Sequence, residues 1–140
     1  MKTCSLALLG STGSIGKSAL AVARALPDRI QVSLLAAGAN WQLLAEQARE
    51  FHPACVCLDD PTHLDDLKSA VPTGTRVISG RDVLCEAVAA SEITTVLCAI
   101  VGTGGLQITG RFRRVKTVHK KSTRPIKIPP FCCFYPQMFP

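Results

Sequence analysis

Five short apolar runs recur over the first 101 residues, separated by stretches whose apolar positions follow helical spacing. The runs are CSLALLG (4–10), IQVSLLAAG (30–38), ACVCL (54–58), RVIS (76–79) and TTVLCAIV (94–101). Each is nearly continuous in apolar residues, the pattern of strands covered on both faces. Helices are predicted over 15–26, 41–51, from Pro61 to about Val71, and over 82–91. Pro27 ends the first, Asn40 caps the second before it stops ahead of His52-Pro53, and Asp60-Pro61 opens the third. Strand–helix–strand order with short links implies right-handed crossovers and a parallel sheet. The fold class expected is α/β, a Rossmann-like doubly wound parallel sheet, incomplete and followed by an irregular C-terminal tail. The pattern stops at Gln107, so the chain divides into a domain over 1–107 and a tail over 108–140. The tail holds five of the nine prolines and four of the five phenylalanines, and no period in it lasts.

Charge sharpens that division. The net charge of +6 over 140 residues conceals a net of −2 over 1–107 and +8 over 108–140, where eight Lys/Arg meet no acid. The basic balance therefore says nothing of nucleic-acid binding by the α/β part. A length of 140 residues suits one domain with a real core, and 47% hydrophobic with 19% charged residues is a globular composition. No apolar run reaches the roughly 18–20 residues of a membrane span. The start, MKTCSLALLGSTG, reads as a first strand rather than an export signal, so a cytoplasmic setting is expected. Seven cysteines (Cys4, Cys55, Cys57, Cys85, Cys98, Cys132, Cys133) contain no C-x-x-C, and no histidine stands at zinc spacing. They read as small hydrophobes in a reducing compartment, and no metal ligand is assigned.

Between the first strand and first helix, Gly10, Gly13 and Gly16 form G-x-x-G-x-x-G. Side chains at the first two glycines would stand between backbone and a pyrophosphate, and the third permits close helix packing. The N–H groups of Thr12, Gly13, Ser14 and Ile15 would face the phosphates with the helix dipole behind them, and the hydroxyls of Ser11, Thr12 and Ser14 would add donors. No G-K-[ST] closes the motif at P-loop spacing. The second strand ends in Gly38, Ala39 and Asn40 with no acid to take a ribose 2′-hydroxyl, which favours NADP over NAD. Gly38 and Asn40 also have plainer uses, ending the strand and capping the helix.

LLGSTGSIGKSAL, AAGANWQLLAEQAREFHP and VLCAIVGTGGLQ together resemble the N-terminal region of 1-deoxy-D-xylulose 5-phosphate reductoisomerases over residues 5–107. The resemblance implies NADPH as cofactor and Mg²⁺ or Mn²⁺ as the family's metal. It implies a homodimer and conversion of 1-deoxy-D-xylulose 5-phosphate to 2-C-methyl-D-erythritol 4-phosphate in non-mevalonate isoprenoid synthesis. By resemblance, Gly10, Ser11, Thr12, Gly13, Ser14, Ile15 and Gly16 form the phosphate turn, and Gly38, Ala39 and Asn40 the adenosine-ribose loop. Ala99, Ile100 and Val101 open the loop near the nicotinamide. The family often has Lys or Arg where Ala39 stands. Its asparagine-lysine-glutamate segment, metal carboxylates, substrate-phosphate residues, lid and C-terminal helical domain find no counterpart in 108–140. No catalytic residue is therefore assigned, and Asp59, Asp60, Asp65, Asp66 and Asp82 are expected on surface helices or their caps.

The tail has three readings: an arm for nucleic acid or another anionic surface, a disordered segment, or translation out of frame. The third explains the break and the lost resemblance together and is favoured. Written GGG CGC TTT CGG CGG GTA AAA, residues 110–116 read Ala-Leu-Ser-Ala-Gly-Lys two bases on. The function expected is an NADPH-binding fragment that is inactive alone. The alternative is a non-enzymatic nucleotide-binding module whose tail contacts an acidic partner.

Overall fold

A computed structural model describes residues 3–90, 93–100 and 115–117. The strands are β1 (Cys4–Leu9), β2 (Ile30–Ala37), β3 (Cys55–Leu58), β4 (Arg76–Ser79), β5 (Thr95–Cys98) and β6 (Val115–Thr117). The helices are α1 (Ser14–Ala25), α2 (Trp41–Phe51), α3 (Leu64–Ala70) and α4 (Arg81–Ala90), with a 3-10 turn at Pro61–His63 ahead of α3. All strand pairs are parallel and the order is β4-β3-β2-β1-β5-β6. This is the doubly wound α/β fold expected.

The near-continuous apolar strands are explained by what covers them. Ala7, Leu9, Leu34, Ala36, Cys57 and Cys98 pack on one face against Leu84, Cys85 and Val88 of α4. Leu8, Leu35, Ala37, Val56 and Leu58 pack on the other against Leu20 of α1, Leu44 and Ala48 of α2, and Leu67 of α3. Both faces of the sheet are thus buried, the arrangement that drives this class of fold. Among the described residues no helix is long and apolar enough to cross a membrane.

The boundaries shift by about one residue from expectation. Gly10 belongs to the turn rather than β1, α1 begins at Ser14, and α4 begins at Arg81. The segment opened by Asp60-Pro61 is a 3-10 turn before it is a helix, with Asp60 Oδ1 accepting the Thr62 N–H at 2.9 Å. β5 is shorter than the apolar run that announced it, ending at Cys98. Inside the segment read as irregular, Val115–Thr117 pairs with β5 in the register Val96↔Val115 to Cys98↔Thr117.

Candidate functional site

The chain winds from β1 outward to β4 in one direction, then returns by α4 to place β5 on the other side of β1. Such a reversal opens a crevice beyond the carboxyl ends of the strands, where ligands of open α/β sheets bind. The glycine turn sits at this point. The Gly10 and Ser11 N–H groups both donate to the Ala36 carbonyl, at 2.8 and 3.0 Å, tying the turn to β2. Gly10 has φ +86°, and a Cβ there would lie 2.8 Å from the Ala99 oxygen after β5. A Cβ on Gly16 would lie 2.2 Å from the Gly10 oxygen. Helix α1 therefore rests directly on the turn, and the fold itself requires both glycines.

Gly13 and Gly38 are different. A Cβ on Gly13 would meet only the Gly10 oxygen at 3.6 Å, an ordinary contact, and one on Gly38 would meet nothing within 4 Å. Neither has positive φ. The fold has room for a side chain at both, on the exposed side of the turn and at the end of β2.

Gly13 is the N-cap of α1 and supplies no side-chain cap, while the first turn carries no acid. The first helical bond runs from the Lys17 N–H to the Gly13 oxygen at 2.9 Å, so the donors ahead of it stand at the positive end of the helix dipole. Thr12 is half-buried and Ser14 exposed, while Ser11 is 0% exposed. The Ser11 hydroxyl, expected to add a phosphate donor, is buried and makes no hydrogen bond within the described protein. The Ser11 carbonyl accepts the Gln47 Nε2–H of α2 at 3.0 Å.

Next to the turn, Asn40 caps α2 by accepting the Leu43 N–H at 3.2 Å. The Asp60 N–H donates to the Gly38 oxygen at 3.0 Å, which fastens the end of β2 to the loop after β3. The Thr62 hydroxyl and N–H hold the Asp60 carboxyl below the usual range. Gly10, Ala36, Gly38, Cys57, Asp59, Gly80, Arg81, Leu84 and Ile100 line one cleft across the carboxyl ends of β1 to β4. Asp59 thus lies at the cleft after β3, rather than on a helix or a cap as expected, because β3 ends at Leu58. Arg81 Nη2 stands 3.8 Å from Asp59 Oδ2, which offsets a carboxylate that would otherwise repel a phosphate. Burial, with Cys55, Asp59 and Cys85 adding to it, pushes the Cys57 thiol up to about 12, so it stays a neutral part of the cleft wall. Ala99 and Ile100 border the glycine turn, and Val101 lies outside the described residues.

No sequence motif marks Gln47, Asp59 or Arg81 as a residue of the site. A glutamine on the apolar stripe Leu44–Ala48 was a visible signal for the first. Position at a strand's carboxyl end was the signal for the other two.

Fold and turn together define a Rossmann-like α/β domain, the class whose glycine turns take dinucleotides. The family model for 1-deoxy-D-xylulose 5-phosphate reductoisomerase matches residues 6–119, and the chain belongs to that family. The reductoisomerase of Photorhabdus laumondii is 40% identical over 104 residues, covering 72% of this chain and 26% of that protein. That of Protochlamydia amoebophila is 42% identical over 104 residues, covering 74% and 27%. The chain therefore spans about a quarter of the length of these relatives. Among solved structures, the Zymomonas mobilis reductoisomerase in complex with NADPH matches with a TM-score of 0.75 at 31% identity, over 83% of this chain and 32% of that one. A DOX-P reductoisomerase in complex with NADPH, fosmidomycin and magnesium matches with a TM-score of 0.71 at 37% identity, over 77% and 27%.

Proposed function

We propose that this chain binds NADPH across the carboxyl ends of β1 and β2, as the cofactor-binding part of a reductoisomerase. The observation that carries the reading is the pair Gly13 and Gly38, glycines with open space where a side chain would stand. The fold does not need them, and a ligand backbone passing close over the turn does. The pyrophosphate is assigned to the N–H groups of Thr12, Gly13, Ser14 and Ile15, the adenosine ribose to Gly38, Ala39 and Asn40, and the nicotinamide to the side of Ala99 and Ile100. NADPH, when bound, supplies a hydride; the chain's own contribution is to hold and orient it.

The absence of an acid from the end of β2 supports a 2′-phosphate there, with Arg81 opposing the Asp59 charge nearby. Calorimetry on the chain should give tighter binding of NADPH than of NADH, and equal affinities would sink the argument. Ala39→Arg should improve NADPH alone, by about 1–3 kcal/mol if a charge-assisted hydrogen bond forms.

The nucleotide-binding unit is proposed to run through His119 rather than stop at Gln107. The family match to residue 119 and the pairing of β6 with β5 support that extension.

The family's reaction, rearrangement and NADPH reduction of 1-deoxy-D-xylulose 5-phosphate, is proposed for a complete enzyme and not for these 140 residues alone. Among the described residues no three His, Cys, Asp or Glu side chains converge on a point where a divalent ion would sit, so they do not fit the family's metal. The chain mixed with substrate, NADPH and Mg²⁺ or Mn²⁺ should leave NADPH unoxidised. Metal-dependent oxidation that disappears in Gly13→Val would overturn this.

A further inference from the structure

We infer that Gln47, buried in α2, sets the direction of the Thr12 N–H and thereby the grip of the glycine turn on a pyrophosphate. The inference rests on the nucleotide reading above. Helix α2 buries Leu44, Ala45, Gln47 and Ala48, and Gln47 is the polar member of that set. It is 6% exposed, and its Nε2–H reaches back 36 positions to the Ser11 carbonyl at 3.0 Å. The Ser11 N–H is held from the other side by the Ala36 carbonyl at 3.0 Å. Ser11 is therefore pinned at both backbone groups, to α2 and to β2.

The consequence follows from peptide geometry. The described chain has no cis peptide bond, and in a trans unit C=O and N–H point in opposite directions within one plane. The Ser11 carbonyl and the Thr12 N–H belong to the same unit. With the carbonyl held by Gln47, the Thr12 N–H is turned away from α2, and a Cβ on the adjacent Gly13 would meet only the Gly10 oxygen. Packing alone does not account for the glutamine. Gln47 Oε1 and Ser11 Oγ are both buried and make no hydrogen bond within the described protein, a poorer solution than Leu or Met at the same place. Gln47 is a positioning residue: it acts through Ser11 and touches no ligand.

The test uses the full chain and the variant Gln47→Met, which keeps the side-chain length and removes the donor. Calorimetry is run with NADPH and with adenosine 2′-monophosphate, which fills the adenosine end but carries no pyrophosphate. NADPH affinity should fall about tenfold while that of adenosine 2′-monophosphate stays unchanged. Gln47→Leu, which also lacks a donor, should show the same split. In the wild-type chain the Thr12 amide proton should move downfield on adding NADPH, a reading that needs no variant. Equal losses for both ligands, no loss for either, or an unmoved Thr12 amide would overturn the inference. Wild-type chain that binds no NADPH would remove the nucleotide reading along with it. NADPH binding unaffected by Gln47→Met would remove this inference alone.

Discussion

Gly13→Val should abolish binding of both NADPH and NADH while lowering thermal stability less than Gly16→Ala does. Gly16→Ala, a smaller change three residues on, should lower stability and binding together. The contrast rests on what each new carbon meets. At Gly13 it meets the Gly10 oxygen at 3.6 Å, and the backbone there, at φ −77° and ψ 173°, is one that valine adopts readily. The cost to the fold is that of a poorer N-cap, on the order of 1 kcal/mol. The two γ-methyls would stand over the N–H groups at the start of α1. At Gly16 the carbon lands 2.2 Å from the Gly10 oxygen and 2.7 Å from Ser11 Cα, both backbone, with no side chain able to swing aside. The helix must lift from the turn, at a cost of about 1–3 kcal/mol of the kind seen on overpacking. Paired thermal melts and calorimetry decide the matter. Retained nucleotide affinity in Gly13→Val would show that nothing passes over the turn, and a wild-type-like melt for Gly16→Ala would show that α1 does not rest on it.

Stability should fall steeply above about pH 9. Burial raises the thiols of Cys55, Cys57 and Cys98, the second to about 12 against an ordinary value of 9.0. Between those limits the unfolded chain has released these protons and the folded chain still holds them, so unfolding is favoured as pH rises. Below the unfolded value both states are protonated and the contribution is fully present. For Cys57 alone the loss across the window is on the order of several kcal/mol, enough to unfold a marginal domain. Denaturant titrations from pH 7 to 11 should show the decline, and Cys57→Ala should flatten it while lowering stability at neutral pH through the lost sulfur. At neutral pH a thiol reagent should spare Cys57 until the chain unfolds, because thiolate is the reactive form. A pH-independent stability up to pH 11 would mean that these thiols are more open to water than their burial indicates.

Much of this architecture was legible because its signals are local. Runs such as Ala7–Leu9 and Leu34–Ala37 are apolar at every position, and only a sheet covered on both sides buries every one of them. Asn40 and Asp60 announced their helices because capping is chemistry between residues two or three apart. The glycine turn was legible as a motif, but its division of labour was not. Whether a glycine is needed by the fold or by a ligand depends on what lies opposite, and Ala99 is 89 positions from Gly10. Asp59 and Arg81 share a cleft because β3 and β4 are neighbours, a fact of strand order with no trace in local pattern. β6 is three residues long and too short to carry a period.

The strand order also sets a timetable. β1 precedes β2 to β5 along the chain, yet it lies inside the sheet, paired from Cys4↔Ile30 on one side and from Leu6↔Thr95 on the other. Strands β1 to β4 are successive neighbours and can assemble as they emerge, since each crossover closes a short stretch of chain. The other edge of β1 must wait for residues 95–98. Only then does the Ala99 N–H reach the Leu9 oxygen, at 2.7 Å, and the backbone after β5 close against Gly10. The turn is made well before β5 and is braced on that side only by it, so competence to hold a nucleotide waits for β5 to pair.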